Sequence, residues 1–477
     1  MLAKGVLKKI EKIIGRENLL TSDEELVLYG YDATPAAEIV KPDAVALPET
    51  AEQIAELISL ANRHKFPVIP RGAGTGLTGG SRPVHGGLVL STQRMNRILA
   101  VDTENLQAIV QPGVVTEDIQ QLVEGEGLFY PPDPQSKASC TIGGNLAENA
   151  GGPRAVKYGV TRQNVLALQA VLPQGQLVRI GARTLKSVVG YDMLSLLIGS
   201  EGTLGIITEA TLRLLPLPPA RATLLAVFDS VEAAAGAVAK TFHAGVVPSA
   251  IEFMDNASIR SVEEFEPSGL PVDAQAVLVI EVDGQPVQVK ESAEKVRQVM
   301  QAQGARQVRL AANEAEAEVL WKARLSLGPS VARIAPLKVN EDIVVPLTNL
   351  PEAVSQIHAI AEKYRIKSAS FGHAGDGNLH VNFLANPDDK EEVARVDQAV
   401  AELFKLAVSL NGSISGEHGI GTTKQEFLSL ELSPEVIEVM KAIKRAMDPL
   451  GILNPGKIFP VRANQTSQSS PGRDGHG

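Results

Sequence analysis

Five glycines in nine residues constrain the N-terminal half of this chain more than any other feature. The stretch PRGAGTGLTGG, residues 70–80, follows the strand-like run FPVI. Glycine permits positive φ and lets backbone N–H groups approach an anion closely, as a phosphate-binding loop requires. A tight surface turn, which is the alternative, needs only one or two glycines. We therefore interpret residues 70–80 as a loop that binds the phosphates of a cofactor.

Part of this loop has the spacing of a dinucleotide-binding fingerprint but lacks the helix that must follow it. Gly74-x-Gly76-x-x-Gly79 has the spacing of the dinucleotide-binding motif, but that motif opens a helix whose N-terminus faces the pyrophosphate. Here SRPVHGG follows, which predicts no helix. Two more glycine-rich loops lie at 131–161 and 199–208. Three separated loops in one domain indicate a large, extended ligand that backbone encloses from several sides.

The chain changes in character at the proline-rich segment LPLPPA, residues 215–220. Before it, short strand-like runs alternate with glycine loops, and Pro173-Gln174-Gly175 is typical of a hairpin turn. After it, longer helices alternate with strands, as in a sheet that helices cover on one face. The predicted units are a first domain at 1–217 with its core at 41–217, a second at 218–420, a helical segment at 421–462 that returns to the first domain, and a disordered tail at 463–477.

Composition excludes several classes of protein. A net charge of −10 with interspersed acids and bases lacks the basic footprint of a nucleic-acid-binding protein. No apolar run approaches the roughly 20 residues of a membrane-spanning helix, and the lysine-rich N-terminus predicts an amphipathic surface helix and no signal peptide. A single cysteine, Cys140, excludes internal disulfides and an iron–sulfur cluster held by this chain alone. We therefore expect a cytoplasmic protein, with peripheral attachment to the inner face of the membrane through a partner as the alternative.

The stretch FGHAGDGNLHVNF, residues 371–383, carries two of the eight histidines. Gly375-Asp376-Gly377-Asn378 supplies turn chemistry, so His373 closes one strand and His380 begins the next. Strand alternation places His380 and Asn382 on one face. Two imidazoles that converge across a hairpin have a geometry that a divalent metal accepts.

A third ligand is available in SISGEHGIGTTK, residues 413–424, where Glu417 stands beside His418 in a glycine-flanked loop. The alternative is that these histidines are separate hydrogen-bonded core residues. Three of eight histidines lie within about fifty residues, each in a glycine-rich setting, and this clustering favours a site.

The three glycine loops resemble the FAD-binding domain of the vanillyl-alcohol oxidase/p-cresol methylhydroxylase superfamily. The resemblance covers about residues 41–217 and implies an α+β protein in which a two-subdomain FAD-binding domain joins an α+β cap with an antiparallel sheet covered by helices. It implies non-covalent FAD, because no histidine lies inside the first loop for covalent attachment. The residues it assigns to FAD are Pro70, Arg71, Gly72, Ala73, Gly74, Thr75, Gly76, Leu77, Pro132, Asp133, Thr141, Gly143, Gly144, Asn145, Ala147, Asn149, Gly151, Gly152, Tyr158, Gly159, Glu201, Gly202, Gly205, Ile207 and Asn454.

HAGDGNLH, SGEHGIG and the terminal NPGK are similar to the D-2-hydroxy-acid dehydrogenase branch of that superfamily, which includes glycolate oxidase catalytic subunits and D-lactate dehydrogenases. The resemblance implies that His373, His380 and Glu417 bind zinc, manganese or iron. It assigns the catalytic base to His418 and a substrate contact to Asn382. It also assigns the grip on the substrate carboxylate to Arg324 and Lys338, for which an ordinary solvated position is the alternative.

The resemblance implies the oxidation of a small 2-hydroxy acid, with glycolate and D-lactate as the leading substrates. A metal that accepts the hydroxyl and carboxylate oxygens lowers the hydroxyl pKa, His418 removes the proton, and hydride passes to flavin N5 to leave a 2-oxo acid. Electrons then leave to an iron–sulfur subunit, an electron-transfer flavoprotein, a cytochrome or a quinone. The alternatives are a non-redox synthase of the alkyl-dihydroxyacetonephosphate type and an inactive flavin-bearing subunit. An oligomer is compatible with the sequence.

Overall fold

The computed structural model describes residues 2–35 and 38–460, so the predicted tail at 463–477 lies outside the described residues. The N-terminal half begins with a helix and contains eleven strands within the described ranges. Its elements are α1 (Lys4–Ile14), β1 (Leu19–Leu20), α2 (Asp23–Val27), β2 (Ala44–Ala46), α3 (Ala51–His64), β3 (Val68–Arg71), β4 (Leu88–Ser91), β5 (Ile98–Asp102), β6 (Gln107–Val110), α4 (Thr116–Gly125), β7 (Leu128–Phe129), α5 (Ile142–Glu148), α6 (Ala155–Tyr158), β8 (Val165–Val171), β9 (Leu177–Gly181), α7 (Met193–Leu197), β10 (Ile206–Arg213) and β11 (Leu215–Pro216).

The second half has longer helices, as the change in sequence pattern after the proline-rich segment predicts. Its elements are β12 (Ala220–Phe228), α8 (Val231–His243), β13 (Ala250–Asp255), α9 (Asn256–Phe265), β14 (Ala276–Gly284), α10 (Pro286–Ala302), β15 (Gln307–Leu310), α11 (Glu314–Leu325), α12 (Leu327–Val331), β16 (Leu337–Val344), α13 (Leu350–Tyr364), β17 (Lys367–His373), β18 (Asn378–Ala385), α14 (Lys390–Ser409), α15 (Leu428–Glu431) and α16 (Pro434–Met447).

Two larger sheets, each over its own apolar core, and a two-stranded sheet of β7 and β11 build the N-terminal half. A four-stranded sheet has the order β1-β2-β4-β3, and a five-stranded antiparallel sheet has the order β5-β6-β10-β8-β9. The predicted hairpin turn at 173–175 joins β8 to β9, and Gly175 there has a φ of 88°. This arrangement confirms the predicted pair of subdomains. The first glycine loop leads into turns and not into a helix, as its sequence predicts.

One seven-stranded antiparallel sheet organises the second half, in the order β15-β12-β14-β13-β17-β18-β16. Helices α8, α10, α13 and α14 pack on one face over the largest apolar core. Our expectation of helices on one face only is wrong, because α9, α11 and α12 cover part of the other face. Alternation along the strands brings His380 and Asn382 to this second face together with Leu384, which packs in the smaller core. The polar side chains of the second face therefore point toward the N-terminal half.

The C-terminal segment returns to the four-stranded sheet. Leu453 forms a parallel bridge with Val68, and Ile452 and Leu453 are buried in the same core as α1 and α3. The backbone N–H of Asn454 donates to the carbonyl of Val68 at 2.8 Å. None of the helices in the described ranges combines the length and the apolar character that a membrane crossing requires.

Candidate active site

The first glycine loop forms one wall of a cavity of about 380 Å³, whose opposite side is built by β16, β17 and β18. An added Cβ at Gly72 would lie 2.5 Å from the Thr141 hydroxyl oxygen. At Gly74, where φ is 77°, an added Cβ would collide with the Arg71 guanidinium. Glycine is required at both positions because the loop folds closely against its neighbours.

Most of the predicted FAD contacts line this cavity. Those that do are Pro70, Arg71, Gly72, Ala73, Gly74, Thr75, Gly76, Leu77, Thr141, Gly143, Gly144, Asn145, Ala147, Gly151, Glu201, Gly202, Gly205 and Ile207. Residues from three loops far apart in sequence therefore meet at one cavity.

The remaining predicted FAD contacts do not line the cavity; they are Pro132, Asp133, Asn149, Gly152, Tyr158, Gly159 and Asn454. Asp133 accepts from the backbone N–H of Arg154 at 3.1 Å, and burial raises its pKa to about 6. The Tyr158 hydroxyl donates to Asp283 at 2.7 Å. The Asn454 amide donates to the carbonyls of Gly80 and Glu201. The polar groups among these residues brace the segments behind the cavity wall.

Two charged residues of the wall have their side chains occupied. The Arg71 guanidinium donates to the Tyr31 carbonyl at 2.7 Å and to the Ser81 hydroxyl at 3.1 Å. The Glu201 carboxylate accepts from the backbone N–H groups of Ile420 and Gly421, each at 2.8 Å. Glu201 thus joins the third glycine loop to the loop that carries His418.

Glu148 is a cavity residue that the sequence did not single out. It lines the cavity, and its Oε2 atom is buried without a hydrogen-bond partner. Burial, with the nearby carboxylates of Glu201 and Asp32, raises its pKa well above the ordinary value. The surroundings of Glu148 therefore favour its uncharged form. Other lining residues, which the sequence did not assign individually to FAD, are Gly80, Ser81, Thr92, Pro112, Pro134, Gln135, Ser136, Ala150, Leu197, Ser200, Ile206, Gly328, Asn340 and Phe371.

Three side chains converge beside this cavity from two distant loops. The Nε2 atom of His373 lies 3.3 Å from Glu417 Oε1 and 3.4 Å from His380 Nε2, and His380 Nε2 lies 3.4 Å from the same Glu417 oxygen. Ligand atoms of a tetrahedral metal centre with bonds of about 2.0–2.1 Å are about 3.3 Å apart. The three atoms therefore have the spacing of one face of such a tetrahedron.

A second group, formed by Asp342, His380 and His418, also brings three ligand atoms together. Its contacts are longer, with His380 Nδ1 3.9 Å and His418 Nδ1 4.0 Å from Asp342. Both Asp342 oxygens already accept hydrogen bonds, Oδ1 from Asn378 and Oδ2 from backbone N–H groups. The group that contains Glu417 is therefore the better metal site.

The three ligand side chains shift one another's pKa values. Burial would lower the pKa of His373, but Glu252 and Glu417 raise it well above the ordinary value. Burial would raise the pKa of Glu417, but His373 and His380 lower it to about 2. Burial lowers the pKa of His380 to about 3. The two carboxylates therefore favour the protonated form of His373, whereas burial favours the neutral form of His380.

Arg324 does not reach the cavity. It is buried, and its Nε donates to Glu252 Oε2 at 2.5 Å, while Glu252 also contacts His373 Nδ1 at 2.8 Å. The guanidinium stacks over the ring of Phe371, which lines the cavity. The assignment of Arg324 to the substrate carboxylate is therefore unsupported, because its charge is used to hold Glu252 against His373.

Lys338 lines the cavity and Asn382 does not. The ammonium of Lys338 donates only to the Gly328 carbonyl at 3.2 Å among the interactions within the described chain, and burial lowers its pKa. The Asn382 amide donates to the Ala369 carbonyl at 3.1 Å, and its oxygen is buried without a partner. Lys338 is the better placed of the two to meet a ligand.

His418 lines the cavity and stacks on His380, with ring centroids 5.2 Å apart and planes within 9°. Burial lowers its pKa below the ordinary imidazole value. The buried Asp342 holds its loop, because one carboxylate oxygen accepts from the backbone N–H groups of Gly416, Glu417 and His418 at 2.8, 2.9 and 3.0 Å. The lowered pKa favours the neutral imidazole, and the hydrogen bonds to Asp342 fix the loop of His418 beside the candidate metal ligands.

Two family models match most of the chain. Residues 42–181 match the FAD binding domain, and residues 217–458 match the C-terminal domain of FAD linked oxidases. Glycolate oxidase subunit GlcD of Bacillus subtilis (strain 168) is 44% identical over 96% of this chain and 97% of its own. A D-lactate dehydrogenase of Anaerostipes hadrus is 36% identical over 94% and 96%.

Solved structures show the same fold at low identity. p-Cresol methylhydroxylase with bound substrate superposes with a TM-score of 0.82 at 18% identity, over 96% of this chain and 98% of the other. An alkyldihydroxyacetonephosphate synthase reaches 0.76 at 18% identity, over 95% and 85%. Both likenesses establish the fold alone.

Proposed function

The chain belongs to the FAD-linked oxidases, and from that premise we propose that it oxidises a D-2-hydroxy acid, glycolate or D-lactate, to the 2-oxo acid. The observation that carries the proposal is the convergence of His373, His380 and Glu417 beside His418 at the cofactor cavity. A 2-hydroxy acid carries a carboxylate next to a hydroxyl. A metal held by the three ligand side chains suits the oxygens of both groups, and His418 suits the hydroxyl proton.

The residues of the cavity fit FAD. Gly72 and Gly74 carry no side chain at positions where a Cβ would clash with neighbouring residues. The backbone N–H groups of this loop are therefore free to approach a pyrophosphate. When bound, FAD supplies the two-electron acceptor of the reaction. The residues at 70–77, at 141–151 and at 201–207 would hold it.

The residues also fit a divalent metal of the zinc, manganese or iron kind. Three ligand atoms 3.3–3.4 Å apart, two imidazole and one carboxylate, leave further positions open to substrate oxygens. Glu252 accepts a hydrogen bond from Nδ1 of His373, the nitrogen that faces away from the other ligand atoms, and so orients that imidazole. When bound, the metal supplies positive charge that acidifies the substrate hydroxyl.

His418 removes the hydroxyl proton. Its lowered pKa keeps it neutral near pH 7, and its position at the cavity lets it act on a bound alcohol. Loss of the proton and of the α-hydrogen as hydride takes two electrons and two hydrogens from the substrate, which leaves the 2-oxo acid. We assign the contact with the substrate carboxylate to Lys338, since Arg324 is occupied by Glu252.

The electrons must then leave the chain. With one cysteine it cannot hold an iron–sulfur cluster by itself. We propose that the acceptor is a partner chain with iron–sulfur centres, an electron-transfer flavoprotein, a cytochrome or a quinone. The name of the Bacillus subtilis relative describes that protein as a subunit, which supports an assembly with other chains.

Anaerobic flavin reduction tests the proposed function. The purified protein is mixed with glycolate, D-lactate, L-lactate or D-2-hydroxyglutarate, and bleaching of the flavin absorbance is followed. We expect glycolate or D-lactate to bleach the flavin and chelation to slow the reaction. Bleaching by L-lactate alone would contradict the stereochemistry, and full activity after verified metal removal would contradict the roles of His373, His380 and Glu417.

A further inference from the structure

The segment that joins β9 to α7, residues 182–192, exposes an unusual amount of apolar surface; we call it the β9–α7 loop. Leu185 is 73% exposed, Val188 97%, Val189 93% and Tyr191 94%. Soluble proteins rarely leave so many large apolar side chains together in water without a binding role. Covering these four side chains is therefore favourable for whatever surface the loop meets.

The loop is fixed at its two ends and stands away from the body of the protein between them. At its start, the backbone N–H of Ala182 donates to Leu166 and the Arg183 carbonyl accepts from Gln107. At its end, the Asp192 carboxylate caps α7. Within the described chain, residues 185–190 form no hydrogen bond to the body, so the apolar tip can enter another medium without loss of native contacts.

The surroundings of the apolar tip are basic, although the whole chain has a net charge of −10. Arg179 on β9 and Arg183 and Lys186 in the loop are exposed. Arg183 lies 3.4 Å from Asp102, whereas Arg179 and Lys186 form no ion pair with any described residue. These three basic side chains face two acids, Asp102 and Asp192, of which Asp192 lies at the end of the loop and caps α7. The tip therefore combines apolar side chains with positive charge.

We propose that the β9–α7 loop inserts its apolar tip into the surface of an anionic lipid bilayer. Leucine and valine enter the acyl boundary, tyrosine is favoured at the interface, and lysine and arginine bind anionic headgroups. A protein partner would need a face of about 800 Å² from some 20–30 residues. A narrow loop that protrudes from its anchors is suited to insertion and is too small to form such a face alone.

Insertion would also orient the enzyme. The loop leads directly into α7, whose last residue, Leu197, lines the cofactor cavity. An inserted loop would therefore be joined to one wall of the cavity by a single short helix. The inference goes beyond the proposed function and does not depend on it, because lipid binding is measured without substrate.

Vesicle co-sedimentation of the full-length holoenzyme tests the proposal. We expect binding to vesicles of phosphatidylcholine and phosphatidylglycerol in equal parts, weaker binding at high salt, and little binding to phosphatidylcholine alone. The double variant V188D/V189D should lower the partition coefficient at least about tenfold. The matched control is V287D/V439D, which changes two valines that are also exposed, 73% and 60%, but lie on α10 and α16.

A fluorescence measurement reports the insertion itself. The chain has one tryptophan, Trp321, so Tyr191→Trp adds one probe to a simple background. We expect a blue shift and quenching by brominated lipid in the anionic vesicles, and neither change for Val287→Trp. The proposal would be overturned by absence of binding to anionic vesicles, by an equal loss of binding in the control variant, or by an unshifted probe. Any of these results would indicate that a protein covers the loop instead. Unchanged thermal unfolding and flavin content of V188D/V189D will show that the variant is folded.

Discussion

Replacement of Asp342 by asparagine should separate the fold of the protein from the geometry of its site. The Asp342 carboxylate is buried and one of its oxygens accepts three backbone N–H groups from residues 416–418. Hydrogen bonds to a charged acceptor contribute about 1.5–3 kcal/mol each, against about 0.5–1.5 for a neutral one. The amide also turns an N–H₂ group toward donors, and buried Lys424, 3.9 Å away, loses its nearest carboxylate. We expect D342N to lower the free energy of unfolding by about 3–5 kcal/mol.

The effect on catalysis should exceed what stability explains. The loop held by Asp342 carries Glu417 and His418, and a misplacement of about 1 Å commonly costs about a hundredfold in rate. Denaturant unfolding, metal content and the rate of anaerobic flavin reduction are measured at a temperature where the variant is fully folded. The control is E341Q, since Glu341 is next in the strand and 4.0 Å from Lys424 but accepts no hydrogen bond from residues 416–418. A D342N protein that keeps its metal and reduces its flavin as fast as E341Q would refute the reasoning.

Four further results are expected from kinetic, FAD-content and unfolding measurements. Because burial lowers the pKa of His418 and the base must be neutral, kcat/KM should rise with pH, and the midpoint of this rise should lie below about pH 6.5. A midpoint above that value would contradict the assignment. Gly72→Ala should reduce the FAD content, since its Cβ meets a threonine hydroxyl at 2.5 Å, whereas Gly5→Ala, with open space around it, should retain full FAD. Lys338→Met should raise KM for the 2-hydroxy acid at least about tenfold. Arg324→Met should chiefly destabilise the fold by about 3–5 kcal/mol, because it removes the arginine from the buried Glu252 carboxylate and leaves His373 as its remaining charged partner. The opposite pattern would support Arg324 as the residue that binds the substrate carboxylate.

The sequence was sufficient where the residues of the site lie close together in the chain. His373 and His380 belong to one hairpin, and Glu417 and His418 are neighbours, so local chemistry indicated each pair. The α+β fold and membership of the flavoprotein family are confirmed. The assignments of metal, base and substrate contacts stay predictions for the experiments above.

The residues that the sequence missed act across the large sheet. Asp342 is opposite His380 in the pairing of β16 with β18, and Glu252 is opposite His373 in the pairing of β13 with β17. A single acid in a strand gives no local signal, because its partner is decided by strand order and register. The same holds for Arg324, whose pairing with Glu252 follows from how α11 packs on that sheet.

The return of the C-terminal segment has a consequence for folding during synthesis on the ribosome. Ile452 and Leu453 complete the core beneath α1 and α3, and Leu453 extends the sheet beside Val68. Since ribosomes add roughly 5–20 residues per second, the first sheet waits for its last neighbour for on the order of tens of seconds. During that interval the nascent N-terminal half exposes an unfinished apolar edge, and a chaperone that shields it would be of most use then.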